Sequence, residues 1–126
     1  MSETRKGLAN LKCTPCRGGI PPMLDLKINQ MLPSVPGWER IKENGYDKIR
    51  RRYKFKNFVK AIEFTNRVAQ IAEEEGHHPD IFIEWNIVEL TLWTHAINGL
   101  HENDFILAAK IDEMKASEVG KSASAT

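Results

Sequence analysis

Several things are scarce in this chain, and each absence narrows the reading. Among its 126 residues there are only two cysteines. Cys13 and Cys16 lie close together and cannot build a disulfide framework. No apolar run approaches the roughly 20 residues that a bilayer-spanning helix needs. Charge of one sign is also missing: 18 Lys and Arg face 17 Asp and Glu, a formal net charge of +1. Strong attraction to an anionic membrane, or direct binding of nucleic acid, is therefore not expected. The opening Met1-Ser2-Glu3-Thr4-Arg5-Lys6 has no apolar run behind it, so a secretory leader is not expected. The chain reads as cytoplasmic, with an organelle lumen as the alternative. No internal repeat is visible.

What is present fits one globular domain, with 41% hydrophobic and 28% charged residues. Residues 1–22 read as an irregular lead-in, broken by Gly18-Gly19 and Pro21-Pro22. The folded domain is expected over 23–117. The small, polar stretch 118–126 is expected to be a flexible tail.

The pattern along the domain is regular. Leu24, Ile28, Met31 and Leu32 fit one face of a short helix that Pro33 ends. Trp38 to Glu43 and Tyr46 to Lys54 flank Asn44-Gly45, a strong hairpin signal because both turn positions need positive φ. Asn57 is the expected N-cap of a long helix with a stripe of Phe58, Ala61, Ile62, Thr65, Val68, Ala69 and Ala72. Gly76 is placed to stop that helix. Ile81 to His95 alternates, and its length suggests two strands with a bend near Asn86-Ile87. A last helix is expected from Glu102 to about Ser117, with Ala108, Ile111 and Met114 or Lys115 inward. The order α-β-β-α-β-β-α predicts a two-layer α+β fold. Its four-stranded, mostly antiparallel sheet carries the helices packed on one face.

All four histidines fall between Glu73 and Asp104: His77, His78, His95 and His101. Imidazole titrates near neutral pH and binds metals, so both chemistries are open. The metal reading is the weaker. Adjacent His77 and His78 diverge in extended chain, and no His-Glu-x-x-His helix is present. The acid–base reading places His77 and His78 after a helix that carries Glu73 one turn earlier. It puts His95 at a strand end, with Asp104 opening the last helix. Carboxylates beside imidazoles would orient them for proton transfer. The plain alternative is that each histidine is a satisfied polar residue; His101, at a helix N-cap, fits that alternative best.

The residues also carry a resemblance. Glu73-x-x-x-His77-His78-Pro79-Asp80, Trp85-Asn86-x-Val88 and Thr94-His95-x-x-x-Gly99-Leu100-x-x-x-Asp104 resemble the pterin-4a-carbinolamine dehydratase family. Gly37-Trp38, Phe55-Lys56-Asn57-Phe58 and Thr65-Asn66-Arg67-Val68-Ala69 match it too, so the likeness spans about residues 24 to 115. It implies dehydration of a 4a-hydroxytetrahydropterin to the quinonoid dihydropterin, with no metal and no cofactor. The partners it implies are the pterin substrate and an aromatic amino acid hydroxylase whose cofactor is recycled. It further implies a homodimer or homotetramer. Carried over by position, His77 and His95 are the acid–base pair, and His78 binds and orients the pterin. Glu73 and Asp104 orient histidines or hold the pterin's donor edge. Trp38 lies near the pocket or, equally, in the core. His101 stands where the family usually has serine or threonine, which puts the helix cap in doubt. Some relatives on this fold are partners of transcription factors or assembly helpers, and that non-catalytic role is the rival reading.

Two other features were weighed. A lone Cys13-x-x-Cys16 is a weak metal or redox signal, and a structural role is favoured. Lys48, Arg50, Arg52 and Lys54 share one strand face, either as a solvated stripe or as a polyanion site.

Overall fold

The computed structural model describes the backbone of residues 7–15 and 18–125, and side chains within these up to residue 116. Helix α1 covers Asp25–Met31 and runs into a 3-10 turn over Leu32–Ser34. Strands β1 (Glu39–Glu43) and β2 (Tyr46–Lys54) follow, then helix α2 (Phe58–Glu75). Strands β3 (Asp80–Glu84) and β4 (Ile87–Leu92) lead through a 3-10 turn at His95–Ile97 to helix α3 (Glu102–Ala125). The four strands form one antiparallel sheet in the order β1-β2-β4-β3. The expected α+β sheet-and-helix architecture is thus the observed one.

Both hairpins turn in two residues. Asn44 and Gly45 have φ of 54° and 83°, which sets Glu43 opposite Tyr46. At the second turn Trp85 has φ 52°, a costly conformation for a bulky side chain. Buried Asn86 holds that turn: its amide donates to Phe55 O at 2.9 Å, and Phe55 N–H donates to Asn86 O at 2.8 Å. The bend therefore lies one residue earlier than the β-branched pattern suggests.

Period two divides the sheet. Ile49, Tyr53, Val88, Leu90 and Leu92 are buried on the helix side. Helix α2 buries Ala61, Phe64, Val68 and Ala72. Phe64 takes the core place expected of Phe58, which is exposed, because Phe64 packs on Tyr53 and Phe55 with ring centroids 4.7 and 5.0 Å away. The first turns of α3 are buried on nearly every side, from Asn103 to Ala109. The apolar stripe read from sequence was too narrow, because the lead-in also packs on this helix. Residues 7–9 of the lead-in are helical, where irregular chain was expected. At the far end α3 continues to Ala125 instead of ending near Ser117. The alanine- and serine-rich stretch has no proline and one interior glycine, Gly120, so helix is compatible with it.

Candidate active site

Two turns place the histidines. Gly76 ends α2 in the left-handed conformation, φ 65°, where glycine pays no steric penalty. Its N–H donates to Glu73 O, and the His77 N–H donates to Ala72 O at 3.2 Å. Pro79 then keeps the chain extended, and the adjacent imidazoles go to different partners. His77 Nε2 lies 2.6 Å from Asp104 Oδ1, and His78 Nε2 lies 2.6 Å from Glu73 Oε2. These pairs differ in environment. The His77 and Asp104 side chains are 12% and 0% exposed; those of His78 and Glu73 are 60% and 78% exposed.

Asp104 is the anchor. Besides His77, its carboxylate accepts from the Thr94 hydroxyl at 2.9 Å and from the His101 N–H at 3.0 Å. A buried carboxylate is costly unless satisfied in this way. Both of its oxygens are thus engaged, one by His77 and the other by Thr94 and His101. The doubt about the cap is also settled. His101 Nδ1 accepts from the Asn103 N–H at 3.0 Å while Asp104 takes the His101 N–H, a reciprocal capping box built on imidazole.

His95 comes to the same cleft from another part of the chain. It begins the 3-10 turn after β4 and is not a strand residue. Thr94 and Gly99 close this loop by bridging to each other. The His95 ring stacks on Trp93 with centroids 3.8 Å apart. Trp93 is fixed in turn by a stack with Tyr46, by Lys48 Nζ 4.4 Å from its ring centroid, and by Nε1–H donating to Asp80 Oδ2 at 3.2 Å. The cleft has a volume of about 340 Å³ and is lined by His77, His78, His95, Trp93, Thr14 and Asn103 among others. That volume lies in the range of ligand sites.

Trp38 is not brought to the cleft. It is buried, and its Nε1–H donates to Asp112 Oδ2 at 2.8 Å. Asp112 also accepts from Tyr53 OH at 2.6 Å and from Arg51 at 3.2 Å. Burial and the Asp112 charge push the Tyr53 phenol far up. Gly37 has φ 96°, a backbone conformation that favours glycine, and a Cβ there would also displace the Arg51 guanidinium, 2.5 Å away. The sequence reading missed this network, and it missed Thr14 and Asn103 at the cleft.

The other candidates resolve simply. The Cys13 thiol is pushed up to about 12, by burial first and then by the Glu75 carboxylate, so it stays protonated. Cys16 lies outside the described residues. Among the described residues, no group of three or more His, Cys, Asp or Glu is arranged to hold a metal ion. The basic stripe is matched by acids. Lys48 and Arg50 bond Glu43 at 3.2 and 2.7 Å, and Arg52 lies 4.0 Å from Glu84. These pairs leave Lys48 and Arg50 engaged with Glu43, Lys48 buried, and only Arg52 and Lys54 on the stripe exposed. Strand β2 lies inside the sheet, so its lysines do not protect an edge.

The family model described as pterin 4 alpha carbinolamine dehydratase matches residues 21–114. The chain belongs to that family. A relative from Methylococcus capsulatus is 48% identical over 105 residues, which is 83% of this chain and 90% of the relative. Another, from Rubrobacter xylanophilus, is 44% identical over 107 residues, covering 85% and 97%. Both carry the name "Putative pterin-4-alpha-carbinolamine dehydratase". A crystal structure titled as a transcriptional coactivator/pterin dehydratase from Brucella melitensis is 35% identical with a TM-score of 0.67. The match covers 74% of this chain and 97% of that one. No helix among the described residues is long and apolar enough to cross a membrane.

Proposed function

We propose that this chain dehydrates a 4a-hydroxytetrahydropterin to the quinonoid dihydropterin by histidine acid–base catalysis. The observation that carries the reading is that His77 and His95 line one cleft, with His77 held by buried Asp104. The C4a–O bond breaks with its electron pair going to oxygen, and a proton delivered to that oxygen lets it leave as water. The adjacent ring nitrogen loses a proton, and its electrons form the new double bond to C4a. Two imidazoles lining the same cleft can supply one transfer and receive the other. Neither step calls for a cofactor. His78, hydrogen-bonded to Glu73 at the cleft edge, binds and orients the pterin.

The substrate is what a pterin-dependent aromatic amino acid hydroxylase releases on turnover, so the chain would return that enzyme's cofactor in the cytoplasm. Self-association as a homodimer or homotetramer belongs to the same proposal. It is supported by edge strand β3, which exposes Ile81 and Phe82, and by exposed Trp85 at its turn. The rival, a binding or assembly protein on this fold, draws support from the coactivator title of the Brucella relative. The oriented histidine set favours the enzyme. The test is whether purified protein accelerates loss of freshly generated 4a-hydroxytetrahydropterin, followed by ultraviolet absorbance. Acceleration that is absent from folded His95→Ala protein supports the dehydratase; a wild type no faster than buffer would turn the search to protein partners.

A further inference from the structure

Most of the lead-in precedes the stretch that the family model matches, residues 21–114, yet the chain from Ala9 to Met23 is fastened to the elements that line the cleft. On the His77 side, Thr14 and Asn103 exchange two hydrogen bonds. Thr14 N–H donates to Asn103 Oδ1 at 2.9 Å, and Asn103 Nδ2 donates to Thr14 O at 2.6 Å. One residue earlier, Cys13 N–H donates to Glu75 Oε1 at 2.8 Å, and the Cys13 thiol donates to Asn103 O at 3.6 Å. Glu75 is itself nearly buried and lies 3.7 Å from Lys110, whose Nζ also donates to Ala9 O at 2.7 Å. On the His95 side, Met23 N–H donates to Leu100 O at 2.9 Å. A Cβ on Gly99 would fall 2.5 Å from Pro22 Cβ, and one on Gly18 would fall 3.2 Å from Ala96 O. This is more fixation than an unstructured leader needs.

The fixation has a chemical consequence. Asn103 uses both ends of its carboxamide on the Thr14 backbone, and Thr94 donates its hydroxyl to Asp104. Thr14 lines the cleft, and among the described residues its hydroxyl makes no hydrogen bond. Thr14 is exposed, and its hydroxyl is a donor and acceptor that the backbone bonds leave unused. We propose that Thr14 is a substrate-binding residue that hydrogen-bonds the pterin through its hydroxyl, and that Asn103 is the positioning residue that presents it. The inference rests on the pterin reading above. It adds to the site a residue that lies ahead of the stretch the family model matches.

The experiment compares wild type with Thr14→Val, Thr14→Ser and Asn103→Ala. Turnover kinetics are measured on the 4a-hydroxytetrahydropterin, and calorimetric binding on a non-reacting 7,8-dihydropterin. Valine keeps the shape and removes the hydroxyl. Losing one neutral hydrogen bond should raise KM and the dihydropterin Kd roughly three- to tenfold, with kcat within about twofold. Thr14→Ser should restore both constants. Asn103→Ala should raise both by at least as much as Thr14→Val. A merely structural strap would lower thermal stability in these variants without that split or the serine rescue. If wild type turns over and binds while Thr14→Val matches it in KM and Kd, the proposal is overturned and the dehydratase reading stands. If wild type neither turns over nor binds the dihydropterin, both fall together.

Discussion

His77 Nε2 and Asp104 Oδ1 meet at 2.6 Å across 27 residues of chain. Local structure sets both ends of the contact. Gly76 stops α2 so that His77 leaves at a defined angle, and the capping box at His101 orients the first turn of α3 that carries Asp104. Asp104→Asn should keep the fold but lose the charged partner of His77. We expect kcat to fall by about 10- to 100-fold. Rapid-mixing kinetics on a variant with unchanged far-ultraviolet circular dichroism checks this; kcat within twofold of wild type would remove Asp104 from the arrangement.

The imidazole cap predicts tolerance. Serine can accept from the same Asn103 N–H that His101 Nδ1 now takes. His101→Ser should therefore match wild-type stability and turnover, whereas His101→Ala should cost about 1 kcal/mol. Thermal melts decide it. A serine variant as weak as the alanine one would mean that the ring does more than cap.

Trp93 should matter through His95. Trp93→Phe keeps a ring for the 3.8 Å stack, while Trp93→Ala removes it and frees Lys48. Aromatic pairs contribute about 0.5–1.5 kcal/mol beyond burial, so kcat/KM should drop roughly two- to tenfold for alanine and much less for phenylalanine. Equal losses in the two variants would point to bulk alone.

Trp38 and Asp112 should behave as stability residues. Asp112→Ala leaves Trp38 Nε1, the Tyr53 hydroxyl and Arg51 without their shared acceptor, at a cost of about 3 kcal/mol or more. Chemical denaturation should show that loss, while KM of the folded fraction stays near wild type. A large KM change would bring Trp38 back to the cleft.

Cys13 reports on docking of the lead-in. Burial and Glu75 raise its thiol to about 12, against an ordinary value of 9.0. The neutral form is therefore the one the fold favours. This contribution is fully present below the unfolded value of 9.0 and is lost as pH rises through about 12. In a Cys16→Ser background, alkylation at pH 8 should be at least tenfold slower than for an ordinary thiol, about 8.5 in peptides. Asn103→Ala should speed it. Fast alkylation in the intact chain would mean that Cys13 is not held as described.

Much of this was legible in one dimension, for identifiable reasons. Asn44-Gly45, Asn57 and Gly76 specify turns and helix ends locally, and these residues do in the structure what their chemistry demands. The placing of His77, His78 and His95 followed from such local signals together with the motif. Long-range choices were not legible. Asp112 collects Trp38, Arg51 and Tyr53 from across the sheet, and nothing in their spacing announces it. The choice of Phe64 over Phe58 depends on where Tyr53 and Phe55 stand. Thr14 and Asn103 join over 89 residues through the Thr14 backbone and the Asn103 carboxamide, and a backbone partner leaves no pattern in side-chain type.

The central claim is that His77, oriented by Asp104, moves a proton in the dehydration. The most direct measurement is the single-turnover rate of 4a-hydroxytetrahydropterin loss for wild type beside His77→Ala, with folding of both verified by thermal melt. The account predicts clear acceleration by wild type and a loss of at least tenfold in the variant. Equal acceleration by both folded proteins would contradict it.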